Sequence, residues 1–399
     1  MEFLNSLAAK FFSFIFALGL FVHFLTGTGN TTVVVQQPSP SAASNSRAVA
    51  TTSPSNASAV ATSSTQAKVL AHTNASLPVQ KHTGTKVVTA ATTTATAYVP
   101  TTKDLASLQA NAQTIESLNT VARGALVNIL CTTAAGGSFN PISGSGVFVD
   151  SRGIILTNAH VAQYFLLKDY PFTDNIQCVV RTGSPAQPLY TAEVMYLPPE
   201  WVEANASQLT AQHAQGTGEN DYAFLRITGA VSYSVSLPAS FPAMVATAEA
   251  PEIGAPVLLV AYPAGLLSGE TIQKNLYSSS AVSTVQGLYS FDGLQHVDLL
   301  SLSGTVVSQT GSSGGALVGI GSSKLLGIIA TETTGTTTAD RQLNAVTIGF
   351  IDRALAKAGM GGLTSFLAGD PQQTAADFKN NLQSQETAEL VAVLQKAAS

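Results

Sequence analysis

The chain has 399 residues, 45% of them hydrophobic, which is enough for two or three domains with buried cores. Only 10% are charged, and the charges are uneven: residues 27–100 carry four basic and no acidic residues, whereas residues 101–399 carry 13 basic and 22 acidic ones, a net of −9. A domain with this excess of negative charge repels phosphate backbones, which argues against nucleic acid as a partner.

The N-terminus contains an apolar run, Phe11–Leu25, that follows Lys10. Its length lies at the upper limit for a signal-peptide core and below the roughly 20 residues of a membrane-spanning helix. Because no Ala-x-Ala cleavage site follows, we favour a signal anchor over residues 1–26, with a cleaved signal peptide as the alternative. In either case the basic flank predicts that the rest of the chain lies outside the cytoplasm, periplasmic or extracellular. It stays tethered to the membrane if the segment is retained and is secreted if the segment is cleaved.

Residues 27–102 are rich in Ser, Thr and Ala and almost devoid of aromatic residues. Such a composition cannot bury enough apolar surface to offset the entropy cost of ordering the chain. These residues are therefore predicted to form a disordered linker.

The pattern changes at Lys103. Helical spacing of apolar residues predicts a helix over residues 103–123, and short apolar runs separated by Gly, Pro, Asn and Ser follow as far as Phe350. Many short strands with frequent turns are typical of an all-β barrel or sandwich. Residues 350–357 read as a closing helix, and residues 359–399 as a helical tail that begins a new helix at Asp370-Pro371. In this tail Phe378, Leu382, Leu390, Val391 and Leu394 could form one apolar stripe that packs on the barrel.

The only cysteines, Cys131 and Cys178, lie in two predicted strands. In an exported protein such a pair favours a disulfide, and two separate buried thiols are the alternative. Two cysteines without clustered histidines do not make a zinc site, and no metal is predicted.

Three short motifs carry the chemistry: Thr157–Val161 with His160, Asp221–Ile227, and Gly311–Gly315 with Ser313. A serine hydroxyl needs a neighbouring base to become a nucleophile, and histidine suits that role near neutral pH. A buried carboxylate then holds the imidazole in one tautomer. We therefore assign Ser313 as nucleophile, His160 as general base and acid, and Asp221 as the orienting carboxylate.

The glycines around Ser313 allow a tight turn of the backbone. That turn brings the amides of Gly311 and Ser313 close to a substrate carbonyl, where two N–H groups can stabilise an oxyanion. The sequence therefore predicts an oxyanion hole formed by these two residues.

Residues Gly144–Asp150 and Gly153–Val161, with the aspartate and serine motifs, resemble bacterial trypsin-like serine proteases, in particular the high-temperature-requirement proteases. The resemblance covers about residues 121–358. It implies a protease domain over residues 103–358 that consists of two antiparallel six-stranded β-barrels, at about 121–232 and 240–352. His160 and Asp221 would belong to the first barrel and Ser313 to the second. The tail is too short for the PDZ domain that these proteases usually carry.

The same resemblance implies a substrate pocket. Val307, six residues before the nucleophile, would form its floor, and Ala330, Thr331 and Glu332 would lie near its mouth. An apolar floor favours small or medium apolar substrate side chains.

Two classes of function follow. The first is an exported, membrane-tethered serine endopeptidase that acts on proteins or peptides through an acyl-enzyme and needs no cofactor. The second is a catalytically inactive surface binding protein that reuses the protease fold. The sequence leaves the oligomeric state open.

Overall fold

The computed structural model describes residues 102–133, 142–210, 216–332 and 342–398. The predicted signal anchor and all but the last residue of the predicted linker lie outside the described residues. Within the described ranges, no helix is long and apolar enough to cross a membrane.

Twelve strands and eight helices make up these ranges. The strands are β1 (Leu126–Thr133), β2 (Ile142–Asp150), β3 (Ile154–Thr157), β4 (Ile176–Thr182), β5 (Gln187–Tyr196), β6 (Ala223–Ala230), β7 (Pro256–Ala261), β8 (Ser279–Tyr289), β9 (Leu299–Leu302), β10 (Ala316–Gly319), β11 (Leu325–Glu332) and β12 (Leu343–Thr347). The helices are α1 (Thr102–Ala125), α2 (Ala159–Leu166), α3 (Pro199–Asn205), α4 (Gly269–Lys274), α5 (Ile348–Lys357), α6 (Gly362–Ala368), α7 (Pro371–Asn381) and α8 (Gln383–Ala398), with a 3₁₀ turn at Ala206–Thr210.

The strands close into two barrels. The first has the order β1-β2-β3-β6-β5-β4 and the second β10-β11-β12-β9-β8-β7, and neighbouring strands are antiparallel throughout. The expectation of two antiparallel six-stranded barrels with flanking helices is confirmed. Closure leaves no open sheet edge in either barrel.

The strand β7 shows how the sequence builds this arrangement. Side chains alternate across a strand, and Val257, Leu259 and Ala261 pack in the core of the second barrel. The residues between them, Leu258 and Val260, pack in a larger cluster that includes residues of the first barrel. Because both faces are covered, the strand is almost continuously apolar.

The two cysteines lie opposite each other on β1 and β4, where Cys131 pairs in register with Cys178. They form a disulfide, and their Cα atoms are 4.0 Å apart. The predicted bridge is confirmed, and the alternative of two separate thiols is wrong.

The C-terminal region differs from the prediction in two places. The run predicted as a strand through Phe350 ends at Thr347, whose hydroxyl accepts a hydrogen bond from the Phe350 N–H (3.0 Å) and thereby caps α5. The predicted single stripe of the tail is divided between α7 and α8, with Leu382 between them. The helix start at Asp370 is confirmed, because its carboxylate accepts from the Gln372 N–H (2.9 Å).

Candidate functional site

The histidine motif lies where β3 of the first barrel turns into α2. β3 ends at Thr157, Asn158 occupies the N-cap position with an extended backbone, and His160 is the second residue of the helix. The Asn158 amide Nδ2 donates to the backbone carbonyl of Asp221 at 2.7 Å. This buried bond holds the start of α2 against Asp221, which lies two residues before β6.

Asp221 follows a tight turn. Gly218 and Asn220 have positive φ values of 86° and 56°, and the Asp221 N–H donates back to the Gly218 carbonyl at 3.1 Å. Glycine and asparagine are the residues that adopt this left-handed conformation most readily. The turn places Asp221, a residue that is only 4% exposed, directly beside α2.

The Asp221 carboxylate binds His160 twice. Oδ2 lies 2.8 Å from the ring atom Nδ1, and Oδ1 accepts the backbone N–H of His160 at 3.1 Å. An ionised carboxylate only accepts hydrogen bonds, so Nδ1 carries the proton and Nε2 is left with a free lone pair. The carboxylate also lies at the N-terminus of α2, where the helix dipole favours negative charge.

This contact changes the acid–base behaviour of the ring. Burial disfavours the imidazolium, but the charge of Asp221 and its hydrogen bond to Nδ1 outweigh that effect, so the pKa of His160 lies above its ordinary value. The side chain remains 36% exposed, so part of it is accessible to solvent. His160 can therefore exchange protons at Nε2.

The serine motif forms a turn just before β10 of the second barrel. Gly311 and Gly314 adopt φ values of 94° and 81°. A Cβ atom on Gly311 would lie 2.8 Å from the Tyr262 carbonyl oxygen. A Cβ atom on Gly314 would overlap the Ser145 carbonyl oxygen and lie 2.5 Å from Thr157 Oγ1. Glycine is required at both positions by backbone conformation and by space.

Hydrogen bonds join this turn to the histidine motif. The carbonyl oxygen of Ser313 accepts from the Ser145 N–H at 2.7 Å, and the Ser145 carbonyl accepts from Thr157 Oγ1 at 2.7 Å. Ser313 is thus connected through Ser145 to the residue three before His160. Among the contacts of the described residues, no hydrogen bond joins the Ser313 hydroxyl to the His160 ring. Such bonds are often long in substrate-free enzymes and shorten when substrate binds.

The two amides of the predicted oxyanion hole are available. In the described part of the chain, neither the Gly311 N–H nor the Ser313 N–H donates a hydrogen bond. The carbonyl before each amide is occupied: Thr310 O accepts from the Ala264 N–H, and Ser312 O from the Gly315 N–H, both at 2.8 Å. Because C=O and N–H point in opposite directions in a trans peptide, both amides are directed away from these partners.

The predicted pocket residues are only partly described. Val307 is fully buried in the core of the second barrel, and Ala330 is 4% exposed on β11. The backbones of Thr331 and Glu332 pair with β12, and their side chains lie outside the described part of the structure.

Two polar residues received no role from the sequence, although one lies in the histidine motif and the other in the segment Gly144–Asp150. Asn158 holds the Asp221 backbone, and Ser145 contacts the serine turn. Both are fully buried. A buried polar residue in an otherwise apolar strand or at a helix start is a signal that could have identified them.

Comparisons with known proteins give one family match and several similar solved structures. Residues 144–328 match the family described as the trypsin-like peptidase domain. The fold is similar to that of the Rv3671c protease from M. tuberculosis in its active form, with 18% identity over 62% of this chain and 86% of that chain and a TM-score of 0.38. It is also similar to Deg5, with 16% identity over 61% of this chain and 92% of that chain and a TM-score of 0.40. No curated protein has significant sequence similarity to this chain.

Proposed function

We propose, on the premise that residues 144–328 form a trypsin-like peptidase domain, that this chain is a serine endopeptidase that hydrolyses peptide bonds through an acyl-enzyme. The single observation that carries the proposal is the double contact of the Asp221 carboxylate with the ring and the backbone of His160. That contact leaves Nε2 as a proton acceptor on a side chain that is partly exposed, as a general base requires.

The Ser313 hydroxyl, the His160 ring and two backbone amides carry out the reaction. Ser313 Oγ attacks the carbonyl carbon of the substrate while His160 Nε2 takes the hydroxyl proton, and the carbonyl oxygen becomes an oxyanion. The amides of Gly311 and Ser313 stabilise that charge. When the carbonyl re-forms, the C–N bond breaks and the departing amine takes the proton from Nε2.

Water completes the cycle. It attacks the acyl group on Ser313, gives its proton to His160 Nε2, and the serine recovers a proton as the new carboxylic acid leaves. Each of these steps moves one proton between the substrate or water and the same ring nitrogen, so no cofactor is required.

A fluorophosphonate probe tests the proposal on the full-length chain. We expect covalent labelling that disappears in Ser313→Ala. Ser312→Ala is the matched control: the Ser312 hydroxyl is buried and makes no hydrogen bond to any residue that the structure describes, so its removal should leave labelling intact. We also expect His160→Ala to lower kcat by about 10⁴-fold or more.

Failure of the wild-type chain to react, with a native circular dichroism spectrum, would overturn the proposal. It would favour the second candidate, an inactive binding protein with a protease fold.

We extend the proposal to the location of the enzyme. The apolar run Phe11–Leu25 after Lys10 supports export, with the protease domain held at the membrane through residues 1–26. Carbonate extraction of membranes separates the alternatives: an anchored enzyme stays with the lipid, whereas a secreted one appears cleaved in the soluble fraction. Recovery of the full-length chain in the cytoplasm would overturn export.

A further inference from the structure

Ser145 of β2 forms hydrogen bonds to residues of both barrels. Its backbone N–H donates to the carbonyl of Ser313, and its carbonyl accepts from the hydroxyl of Thr157, both at 2.7 Å. The residue is fully buried. Its backbone therefore joins the segment that ends before His160 to the turn that carries Ser313.

The side chain of Ser145 makes two further bonds, both to the second barrel. Oγ donates to the Gly311 carbonyl at 2.8 Å and accepts from the N–H of Tyr262, the residue after β7, at 2.9 Å. A hydroxyl has one proton to donate, and here it is used on Gly311. The N–H and the hydroxyl of Ser145 are thus bound to the second barrel, and its carbonyl is bound to Thr157 of the first.

These bonds affect the orientation of the Gly311 N–H, one of the two donors of the predicted oxyanion hole. Gly311 lies between two peptide groups, and its backbone can rotate more freely than that of any other residue type. The carbonyl of the preceding peptide is held by the Ala264 N–H, and the carbonyl of the following peptide is held by Ser145 Oγ. The Gly311 N–H belongs to the first of these peptides, the one that Ala264 holds. Ser145 Oγ binds the second peptide, and through the Tyr262 N–H it also holds the segment that contains Ala264. Ser145 is therefore connected to the peptides on both sides of Gly311.

We infer that Ser145 is a positioning residue for the oxyanion hole: its hydroxyl ties the end of β7 to the Gly311 carbonyl and keeps the Gly311 amide directed at the substrate oxygen. The inference rests on the proposed function, because an oxyanion forms only if Ser313 attacks a carbonyl. It predicts that a buried side chain of the first barrel controls a reaction step on the second.

Removal of the hydroxyl should affect the reaction more than substrate binding. In Ser145→Ala the buried Gly311 carbonyl and Tyr262 N–H both lose a partner, and each can recover one only by moving. A shift of the segment from Tyr262 to Ala264 moves the peptide that carries the Gly311 N–H and so weakens one of the two oxyanion donors. Loss of such a donor lowers kcat by about 10²–10³-fold where it has been measured, so a misdirected donor should lower kcat by about 10–100-fold.

The experiment compares Ser145→Ala with Ser143→Ala in the full-length chain. Ser143 lies on the same strand and accepts a hydrogen bond from the Asn128 amide at 2.9 Å within the first barrel. Kinetics are measured on a peptide substrate, with active sites counted by fluorophosphonate titration so that kcat refers only to folded enzyme. The pH dependence of kcat/KM is recorded for both variants.

We expect Ser145→Ala to show a kcat lowered by about 10–100-fold per titrated site, with KM and the acid limb of the pH profile unchanged. Ser143→Ala should keep the wild-type kcat. A Ser145→Ala variant with fewer titratable sites but normal kcat per site has only a folding defect and overturns the inference. So does a variant with wild-type kinetics.

Failure of the proposed function has a different signature. A folded wild-type chain that takes no label and cleaves no peptide overturns the endopeptidase assignment and, with it, the role of Ser145. A labelled, active wild type beside an equally active Ser145→Ala overturns only the role of Ser145.

Discussion

One carboxylate, that of Asp221, holds both the ring and the backbone of His160. Oδ2 contacts Nδ1 at 2.8 Å, and Oδ1 accepts the backbone N–H at 3.1 Å. The same carboxylate fixes the tautomer of the ring, caps the N-terminus of α2 and raises the pKa of His160. The orientation and the basicity of the ring are therefore coupled.

This coupling predicts the pH dependence of activity. His160 must be neutral to accept a proton from Ser313, so kcat/KM should fall at acid pH as the ring becomes protonated. Because the pKa of His160 is raised, this fall should begin above the pH at which an ordinary histidine titrates. Asp221→Asn removes the charge, so burial then dominates, the pKa of His160 falls and the acid limb moves to lower pH.

The same variant should also lose activity. An asparagine amide can stabilise the wrong tautomer of the ring, and kcat should decrease by about 10⁴-fold. Glu219→Gln, which removes an exposed carboxylate two residues away, is the control and should change neither quantity. An acid limb that stays in place in Asp221→Asn would contradict the assignment of Asp221 as the partner that raises the pKa of His160.

A second prediction concerns Gly314. Its φ of 81° and the overlap of any Cβ with the Ser145 carbonyl mean that Gly314→Ala must displace either the serine turn or β2. We expect a loss of at least about 100-fold in kcat/KM, since a misplacement of about 1 Å at a reacting group has that effect. Thermal unfolding should also shift to lower temperature.

The matched control is Gly321→Ala on the surface turn after β10, where a Cβ atom would meet nothing within 4 Å. It should leave both activity and unfolding temperature near the wild type. Wild-type activity in Gly314→Ala would contradict the requirement for glycine at this position of the turn.

Local patterns account for what could be predicted from the sequence. The short apolar runs predicted an all-β barrel or sandwich, and the resemblance of the motifs to trypsin-like proteases implied the two six-stranded barrels. His160 and Asp221 lie in contact, as expected. The helix α2 was not expected, because Val161 and Ala162 continue an apolar run that reads equally well as strand.

Contacts between distant segments could not be predicted in this way. Ser145 and Gly311 are 166 positions apart, and their bond depends on how the two barrels pack. The burial of Glu386 likewise depends on packing of the tail, because a glutamate on an amphipathic helix is normally exposed. No local pattern indicates the bond between Ser145 and Gly311 or the burial of Glu386.

The disulfide yields a third prediction. Cys131 and Cys178 close a loop with a sequence separation of 47 within the first barrel. In the chain-entropy model a loop of this length contributes about 4 kcal/mol, and measured values are often lower. Cys131→Ala combined with Cys178→Ala should therefore lower the free energy of unfolding by about 2–4 kcal/mol, measured in denaturant without reductant.

Activity at low temperature should survive this change, because the bridge joins β1 to β4 and lies outside the histidine, aspartate and serine motifs. Wild-type protein in dithiothreitol should approach the stability of the double variant. Equal stability of the oxidised wild type and the double variant would contradict the stabilising role.

The last prediction concerns Glu386 on α8. Its side chain is buried, and both carboxylate oxygens lack a hydrogen-bond partner among the described residues. The helix packs against α3 and the 3₁₀ turn of the first barrel. Burial, with the nearby charges of Glu389 and Glu200, raises the pKa of Glu386 to about 8. The folded protein therefore binds this proton more tightly than the unfolded chain does.

Proton linkage gives the direction in which stability changes with pH. The contribution of Glu386 to stability is fully present below the pKa of the unfolded chain and is lost as the pH rises from about 5 to about 8. Glu386→Gln removes the ionisation, so at pH 8.5 the variant should exceed the wild type in free energy of unfolding by about 2–4 kcal/mol. At pH 5 the two should be nearly equal.

Urea unfolding at several pH values measures this difference, with Glu203→Gln as the control because Glu203 is an exposed carboxylate on the neighbouring helix α3. The control should follow the wild-type pH dependence. If Glu386→Gln and the wild type lost stability in parallel between pH 5 and pH 8, then Glu386 would be ionised in the folded protein. The tail would in that case have to supply a partner for its charge, which requires α8 to pack differently against the first barrel.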